Sequence, residues 1–389
     1  MESNRRRFLK HSLFSAAGMA AAPMLPGALF GHDLHQTLRP EEIVLPKVDR
    51  PKPKDTIRFS VIGLNHGHIY GMTDAAIEGG GQLVSVYAKE PDLLQAFAKR
   101  FPQAKVAKSE AEILEDPSIQ MVASAGIPID RAPLGIRVMQ ADKDYMVDKP
   151  GIITFSQFKQ VKKVQQSTGR IYSIMYSERL GNPASVKAGE LIQAGAIGKV
   201  IQTIGLGPHR MRPKTRPDWF FDPSKAGGIL ADIGSHQCDQ FLYYTHSKKA
   251  EVNFAQIANF NNKSHPNLQD FGDMSVRSDH ATGYIRIDWF TPEGLPTWGD
   301  GRTFILGTEG YIEMRKYVDI TGRQGGNHLF LVNQQETKYF DCTNVYMPYG
   351  EQLVSDVVHR TQTAMAQEHC FLATELALTA QKKAVQLKV

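Results

Sequence analysis

Residues 227–236 carry the residue types of this chain that are best suited to proton transfer. They contain Asp232 and His236, four positions apart, after the paired glycines Gly227 and Gly228. Positions i and i+4 of a helix share a face, so a helix here would point the acid and the imidazole in the same direction. A histidine beside a carboxylate can act as a general acid or base near neutral pH, and glycines let backbone approach a ligand closely. We interpret the pair as catalytic; a helix with a hydrogen-bonded histidine and a surface acid is the alternative.

A second motif, G-L-N-H-G-H, begins at Gly63, between a β-branched run and a helical pattern. A dinucleotide-binding turn uses three glycines to turn tightly and approach the pyrophosphate, whose charge the helix N-terminus then binds. Here Asn65 and His68 occupy the second and third glycine positions, and Gly67 is out of register. Asn tolerates left-handed backbone. We predict contacts to NAD or NADP from Gly63, Asn65, His66, Gly67 and His68; an ordinary strand–helix turn is the alternative.

The end of the next predicted strand bears on the choice between NAD and NADP. An acid that holds the ribose hydroxyls is expected ~20 residues after the glycine turn. That position holds Ala88, with Lys89 beside it. A cation in place of the acid suits a 2′-phosphate, so Lys89 slightly favours NADP. Two alternatives stay open: Glu90 binds the ribose in a shifted register, or Lys89 is a solvated surface lysine.

Lys149 is the third candidate, in the sequence Asp148-Lys149-Pro150 directly after an apolar run. Ligands of open α/β sheets bind beyond the carboxyl ends of the strands. We therefore expect Lys149 to point into the crevice that would hold a nicotinamide. Cationic or apolar surroundings lower the pKa of a lysine, which can then move protons. A surface lysine before a helix-starting proline is the alternative.

The pattern of elements predicts an α/β protein. Short β-branched runs alternate with helical stretches up to about residue 175, which predicts a Rossmann domain with a doubly wound parallel sheet. Later strands follow one another with few helices between them, which predicts a C-terminal α+β domain with a large mixed or antiparallel open sheet. A helix is predicted over 228–244, and one C-terminal helix over 350–381. The domain boundaries are 55–175 for the Rossmann domain and 176–389 for the substrate and oligomerisation domain.

The N-terminus predicts export. Residues 4–10 read N-R-R-R-F-L-K, which matches the twin-arginine pattern R-R-x-F-L-K, and a mildly apolar, Ala-rich stretch follows that is too short for a membrane span. We expect residues 1–31 to be a signal peptide recognised by the Tat export machinery, an address rather than a membrane anchor. The mature protein is then periplasmic, and residues 32–54, rich in proline, form an extended arm or linker. A basic, disordered N-terminus of a cytosolic protein is the alternative.

Composition excludes several classes of protein. The formal charge is +5, and three of these charges belong to the first 31 residues, too small an excess for a nucleic-acid partner. The three cysteines, Cys238, Cys342 and Cys370, have no C-x-x-C spacing, so we expect neither a zinc site nor a disulfide framework. No third ligand stands at metal-site spacing from Asp232 and His236, and we predict no metal.

Together these motifs resemble the Gfo/Idh/MocA family of oxidoreductases. That family carries an E-K-P motif, here Asp148-Lys149-Pro150, and a later G-G-x-x-x-D-x-G-x-H motif, here residues 227–236. The family's P-N-x-x-H corresponds to residues 128–131, where Ile129 and Arg131 replace the asparagine and the histidine and Pro128 is kept as a cofactor contact.

The resemblance implies a hydride transfer between a sugar or polyol and a tightly bound NAD or NADP. It implies that Lys149 contacts the reacting hydroxyl and the nicotinamide and that the peptide bond between Lys149 and Pro150 is cis. It also implies that Asp232 orients the site and that His236 accepts the proton. It also implies a homo-oligomer. Side chains expected to bind the carbohydrate are Tyr176, Arg179, His209, Arg210, Trp298 and, with less specificity, Trp219.

Two other functions stay open at this point. Some relatives cleave glycosidic bonds by transient oxidation and elimination, which leaves the cofactor unchanged, so a redox-neutral NAD-dependent glycosidase or lyase is the alternative activity. A non-enzymatic periplasmic sugar-binding protein is the other, although binding alone would not require the lysine, aspartate and histidine together.

Overall fold

A computed structural model of the chain describes residues 40–48 and 52–388. Its strands are β1 (Glu41–Val44), β2 (Ile57–Ile62), β3 (Gly81–Tyr87), β4 (Lys105–Val106), β5 (Met121–Ser124), β6 (Asp144–Asp148), β7 (Tyr172–Met175), β8 (Val200–Pro208), β9 (Glu251–Ala258), β10 (Phe271–Arg277), β11 (Thr282–Asp288), β12 (Arg302–Gly307), β13 (Gly310–Arg315), β14 (His328–Asn333), β15 (Thr337–Asp341) and β16 (Val385–Gln386).

The helices complete the two halves. They are α1 (His68–Glu78), α2 (Pro91–Arg100), α3 (Glu110–Leu114), α4 (Pro128–Gln140), α5 (Phe155–Thr168), α6 (Ser177–Leu180), α7 (Pro183–Gln193), α8 (Pro223–Ala226), α9 (Ile229–Asp232), α10 (Gly234–Thr245), α11 (Tyr349–His359) and α12 (Gln367–Lys383), with 3-10 turns at Pro213–Thr215 and Asp218–Phe221.

The first sheet is parallel and positions the predicted cofactor turn. Its order is β4-β3-β2-β5-β6-β7, so the direction of winding reverses between β2 and β5, where open α/β sheets bind ligands. Gly63 follows β2 and Gly126 follows β5. Gly63 has φ +86°, and a Cβ there would lie 3.0 Å from the Cα of Gly126. The tight turn therefore requires glycine.

The second sheet is mixed, in the order β1-β15-β14-β13-β12-β8-β11-β10-β9-β16. Its central strand, β8, is parallel to β11 and antiparallel to β12. Apolar side chains of α10, including Phe241, are buried against one face; a Cβ on Gly283 of β11 would lie 2.8 Å from the ring of Phe241. The parallel Rossmann sheet and the large mixed sheet confirm the predicted fold class.

Two predicted helices are interrupted in the structure. The C-terminal helix is in fact α11 and α12, because Arg360 adopts a left-handed φ of 57° and its guanidinium donates to Asp144 of the parallel sheet at 2.6 Å. Asp356 stabilises the connection by accepting hydrogen bonds from the backbone N–H groups of Thr363 and Ala364. The predicted helix over 228–244 divides at Ile233 into α9 and α10.

The N-terminal predictions are only partly covered by the described residues. Residues 1–31, the predicted signal, lie outside them, so export to the periplasm stays a prediction. Within the predicted arm, β1 pairs in parallel with β15 at the edge of the mixed sheet. Among the residues that the structure describes, no helix has the length and apolar character needed to cross a membrane.

Candidate functional site

A cleft of about 640 Å³ extends from the turn after β2 to the loop after β8. The carboxyl ends of β2, β5 and β6 lead into one wall, and the second domain supplies the other. Several predicted site residues line it: Asn65, His66, Gly67, His68, Pro128, Lys149, His209, Arg210, Asp232 and Trp298. Residues separated by more than 200 positions along the chain therefore share one cavity.

The structure brings Lys149 and Asp232 together in this cleft. The ammonium of Lys149, whose residue is only 5% exposed, donates a hydrogen bond to Oδ1 of Asp232 at 2.9 Å. Burial acts to raise the pKa of Asp232, but the Lys149 ammonium outweighs it and the pKa is lowered. The peptide bond between Lys149 and Pro150 is cis. The pair is thus an ammonium and a carboxylate held at the wall of the cavity.

His236 lies near this pair in a buried position. The residue is 2% exposed, and its Nδ1 has no hydrogen-bond partner among the described residues. Burial lowers the pKa of His236 to about 3, and the Lys149 ammonium acts in the same direction against the Glu178 carboxylate. The imidazole is therefore neutral near pH 7, and a neutral imidazole has one nitrogen that can accept a proton; His236 itself is not among the residues that line the cleft.

Asp148 fixes the two histidines of the turn. Nδ1 of His66 lies 2.6 Å from one carboxylate oxygen and Nδ1 of His68 lies 2.8 Å from the other. Burial acts to raise the pKa of Asp148, but the Arg131 guanidinium and both imidazoles hold that pKa well below its ordinary value. The carboxylate is an acceptor, so the hydrogen-bond pattern assigns the Nδ1 proton to each ring. Burial lowers the pKa of His66 to about 4, so this ring is neutral near pH 7 and its Nε2 is left as an acceptor.

This cluster has the spacing of a metal site but the wrong electrostatics for one. The ligand atoms of His66, His68 and Asp148 lie within 4.8 Å of one another. Both Nδ1 atoms are already engaged by the carboxylate, and the guanidinium of Arg131 lies 3.0 Å from the same carboxylate. A cation there would meet that fixed positive charge. We therefore interpret the cluster as a support for the turn.

Arg131 is a site residue whose role sequence reasoning missed. Its Nη1 donates to the backbone carbonyls of Asp148, Lys149 and Pro150, most closely to Lys149 at 2.6 Å, and its Nε donates to Gly126 at 2.7 Å. The side chain therefore joins the turn after β5 to the loop that carries Lys149. The sequence did offer one signal: Arg131 stands where the family's P-N-x-x-H motif has a histidine. A different side chain at that position gives the loop that carries Lys149 a different hydrogen-bond partner.

The second wall of the cleft is aromatic and cationic. The ring of His209 lies 4.6 Å from that of Trp298 and 5.4 Å from that of Trp289, measured between centroids, and its Nδ1 lies 3.0 Å from the carbonyl oxygen of Gly207. Arg210 donates to the carbonyls of Pro292 and Leu295. The sequence prediction missed four further residues on this wall: Arg212, Arg216, Phe220 and Trp289.

Two predicted substrate residues do not line the cleft. Tyr176 is 1% exposed, and its hydroxyl pairs with Thr374 Oγ1 at 3.0 Å. The guanidinium of Arg179 forms a bidentate ion pair with Asp239, at 2.6 and 2.7 Å. The prediction that these two side chains bind carbohydrate is corrected accordingly: Tyr176 is a core residue with a satisfied hydroxyl, and Arg179 neutralises a buried acid.

The turn after β2 has the features that a dinucleotide needs. Gly63 adopts the required positive φ, α1 begins directly after the turn, and Gly67 is exposed with open space around it. At the end of β3, Lys89 is exposed and Ala88 is buried. Glu90 accepts a hydrogen bond from Asn65 Nδ2 at 2.8 Å. The residues present therefore fit a bound NAD or NADP, with its phosphates at the N-terminus of α1.

The lowered pKa of His209, which lines the cleft, is expected to make the protein less stable in acid. Burial lowers the pKa of His209 from 6.5 to about 4, so the unfolded chain takes up this proton first as the pH falls. The contribution of His209 is complete above pH 6.5 and is lost as the pH falls to about 4. The His209→Gln variant should therefore show a shallower acid decline in the free energy of unfolding, measured by urea titration across that window.

His280 supplies a control of opposite sign. The carbonyl of Thr245, with help from Asp279, raises the pKa of His280, so its stabilising contribution is present in acid and is lost as the pH rises. The His280→Gln variant should make the acid decline steeper. Equal slopes in wild type and His209→Gln would contradict the depressed pKa of His209.

Comparison with known proteins gives concordant matches. Residues 57–176 match the oxidoreductase family with an NAD-binding Rossmann fold, and residues 185–313 match the GFO/IDH/MocA C-terminal domain. A scyllo-inositol 2-dehydrogenase (NAD(+)) of Bacillus subtilis is 26% identical over 264 residues, 66% of this chain and 73% of that protein. Two further curated relatives are matched over about half of their length, 53% and 54%.

Solved structures agree with this assignment. One is the crystal structure of a protein from Erwinia carotovora atroseptica SCRI1043, which is proposed to be an oxidoreductase. Its sequence is 44% identical to this chain, the TM-score is 0.83, and the alignment covers 86% of this chain and 100% of that protein. A levoglucosan dehydrogenase in complex with NADH and levoglucosan has a TM-score of 0.71 over 85% of this chain and 98% of its own. At 17% identity, that second likeness shows the fold alone.

Proposed function

Because this chain belongs to the Gfo/Idh/MocA family of oxidoreductases, we propose that it oxidises a hydroxyl of a sugar or polyol, or reduces the matching carbonyl, with NAD or NADP. The observation that carries the proposal is the pairing of Lys149 with Asp232 at 2.9 Å in the cleft, beside a neutral, buried His236. The names of two sequence relatives, the scyllo-inositol 2-dehydrogenase and a levoglucosan dehydrogenase that is 28% identical over 156 residues, support a carbohydrate or polyol as substrate.

The proposed chemistry divides between a cofactor and three side chains. A bound nicotinamide supplies the hydride transfer. Lys149 donates a hydrogen bond to the reacting oxygen and stabilises the negative charge that develops on it. Asp232 holds the ammonium in place through their hydrogen bond. His236, neutral at physiological pH, accepts the hydroxyl proton in oxidation and returns it in reduction.

Arg131 and Asp148 have positioning roles in this scheme. The guanidinium of Arg131 donates to three successive carbonyls around Lys149, which restricts the backbone that carries the ammonium. Asp148 orients His66 and His68 at the turn. Accurate placement of this kind contributes to rate because small displacements of a reacting group are costly.

For the cofactor we propose a slight preference for NADP over NAD. Lys89 is exposed beside the position where an acid would bind the ribose, and that position holds Ala88. Glu90, the other candidate for the ribose, already accepts a hydrogen bond from Asn65. The 2′-phosphate of NADP could therefore pair with the Lys89 ammonium. Among Ala88, Lys89 and Glu90, no acid without a hydrogen-bond partner would repel it.

The proposal is tested by mass spectrometry of the dinucleotide released on denaturation of the purified protein. We expect a nicotinamide dinucleotide, and the mass of NADP rather than NAD. A panel of sugars and polyols added to the native protein should then change the absorbance of the reduced nicotinamide. Protein that carries no dinucleotide and binds neither added NAD nor added NADP would falsify the proposed function. Release of free sugar without net cofactor reduction would favour the glycosidase alternative.

A further inference from the structure

The loop after β8 brings positive charge to the cleft without matching acids. Arg212 and Arg216 both line the cavity, and within residues 40–48 and 52–388 no carboxylate lies in ion-pair distance of either guanidinium. Arg210 forms an ion pair with Glu293 at 3.6 Å, and the Glu293 side chain is 84% exposed to solvent. The wall formed by this loop therefore carries a net positive charge.

Asp232 in the cleft and Asp148 beside it already have cationic partners. Asp232 accepts from Lys149 at 2.9 Å. Asp148 lies 3.0 Å from the guanidinium of Arg131. Neither carboxylate is therefore available to neutralise the positive charges of Arg212 and Arg216. An anion from outside the chain could pair with these two guanidinium groups.

Arg216 is held in a fixed orientation. Its guanidinium carbon lies 4.5 Å from the ring centre of Phe220 and 5.1 Å from that of Trp289. Its Nε donates to the carbonyl of Met211 at 3.0 Å. A guanidinium stacked on aromatic rings is preorganised, because little side-chain freedom remains to be lost when it binds a carboxylate or phosphate.

The position of Arg216 is near the reacting end of the cleft. Arg216 and Asp232 line the same cavity; burial lowers the pKa of Arg216, and the carboxylate of Asp232 opposes that shift. Asp232 is also the acceptor of the Lys149 hydrogen bond. A group bound by Arg216 would therefore occupy the cavity that Lys149 and Asp232 also line.

We propose that the substrate is an acidic carbohydrate, a sugar carboxylate or a sugar phosphate, whose anionic group is bound by Arg216 and Arg212 while its ring packs on Trp298. This inference rests on the proposed function and narrows its substrate. Trp298 is 41% exposed at the cleft, as a stacking surface for a sugar ring requires. The cofactor's phosphates are assigned elsewhere, to the turn that precedes α1.

The test is a binding measurement that needs no turnover. Isothermal titration calorimetry of the purified full chain would compare methyl β-D-glucuronide, glucose 6-phosphate and methyl β-D-glucoside. We expect at least one acidic probe to bind about 10- to 100-fold more tightly than the neutral glucoside, the gain typical of hydrogen bonds to charged groups. A tighter glucuronide alone identifies a carboxylate as the anion, and a tighter glucose 6-phosphate alone identifies a phosphate.

Variants assign the effect to the loop. Arg216→Met and Arg212→Met should remove the preference for the acidic probe and leave the affinity for the glucoside. Lys214→Met is the matched control, because Lys214 is an exposed cation of the same loop that does not line the cleft; it should keep the preference.

Three results overturn the inference. They are equal binding of neutral and acidic probes, a preference that survives both arginine variants, and loss of NADP affinity in these variants with sugar binding unchanged, which would assign the arginines to the cofactor. None of these depends on dinucleotide in the purified protein, so failure of the inference and failure of the proposed function are separate outcomes.

Discussion

Replacement of Lys149 by methionine is expected to lower kcat by about 10²- to 10³-fold, the cost of removing one group that stabilises developing charge. Methionine keeps most of the length of the side chain but has no proton to donate to the reacting oxygen. The loss should appear in kcat as well as in kcat/KM, because the interaction is strongest in the transition state. Steady-state kinetics with any sugar or polyol that the wild type turns over provides the measurement.

The loss must be separated from an effect on folding. Removal of the ammonium leaves the Asp232 carboxylate without its partner in the cleft, which itself costs stability. Circular dichroism and the bound dinucleotide content should nevertheless match the wild type. Lys162→Met, at an exposed position of α5, is the matched control and should keep full activity. A Lys149→Met enzyme with near-wild-type kcat and a folded spectrum removes the lysine from the mechanism.

Replacement of His236 is expected to lower kcat by about 10²- to 10⁴-fold, the usual contribution of a positioned general base. His236→Gln is preferable to alanine, because the site is buried and glutamine leaves the smaller cavity. The buried Nδ1 without a partner would be replaced by an amide that cannot accept a proton at neutral pH. Turnover under substrate saturation measures the effect.

The pH profile tests the assignment to this residue. The pKa of His236 is lowered to about 3, and the deprotonated imidazole is the active form in oxidation. Titration of His236 should therefore make kcat/KM rise with pH around that low value and should cause no change in kcat/KM near neutral pH. An acid limb near pH 6.5 that the His236→Gln variant abolishes would contradict the depressed pKa. A variant that retains wild-type turnover would exclude His236 as the base.

The order of elements was largely predictable, and the exceptions have local causes. The runs that became β2, β9 and β12 are rich in β-branched or apolar residues, a pattern that is itself evidence of a buried strand. β10, Phe271–Arg277, does not follow from the sequence pattern, because Gly272, Asp273 and Ser275 interrupt its apolar residues. It is a strand because β9 and β11 pair with it on both sides, a condition that only distant residues supply.

The site residues show the same contrast between what local sequence predicts and what it does not. Residue type and spacing within residues 148–150 and 227–236 were sufficient to single out Lys149, Asp232 and His236, since each motif is local in the chain. The direction of a side chain was not available from such patterns. Tyr176 directly precedes α6 and Arg179 lies within it, yet both satisfy their polar groups in the core, on Thr374 and Asp239.

The amino-acid order alone therefore indicated two sheets of different kinds and singled out candidate residues for proton transfer, because periodicity and reactive side chains are properties of short segments. The folded chain was needed to show that Arg131 holds the backbone of Lys149 and that Arg216 stands over Phe220 and Trp289. Those contacts join residues far apart in the chain or on turns without a regular pattern. Their geometry follows from packing, which no local pattern encodes.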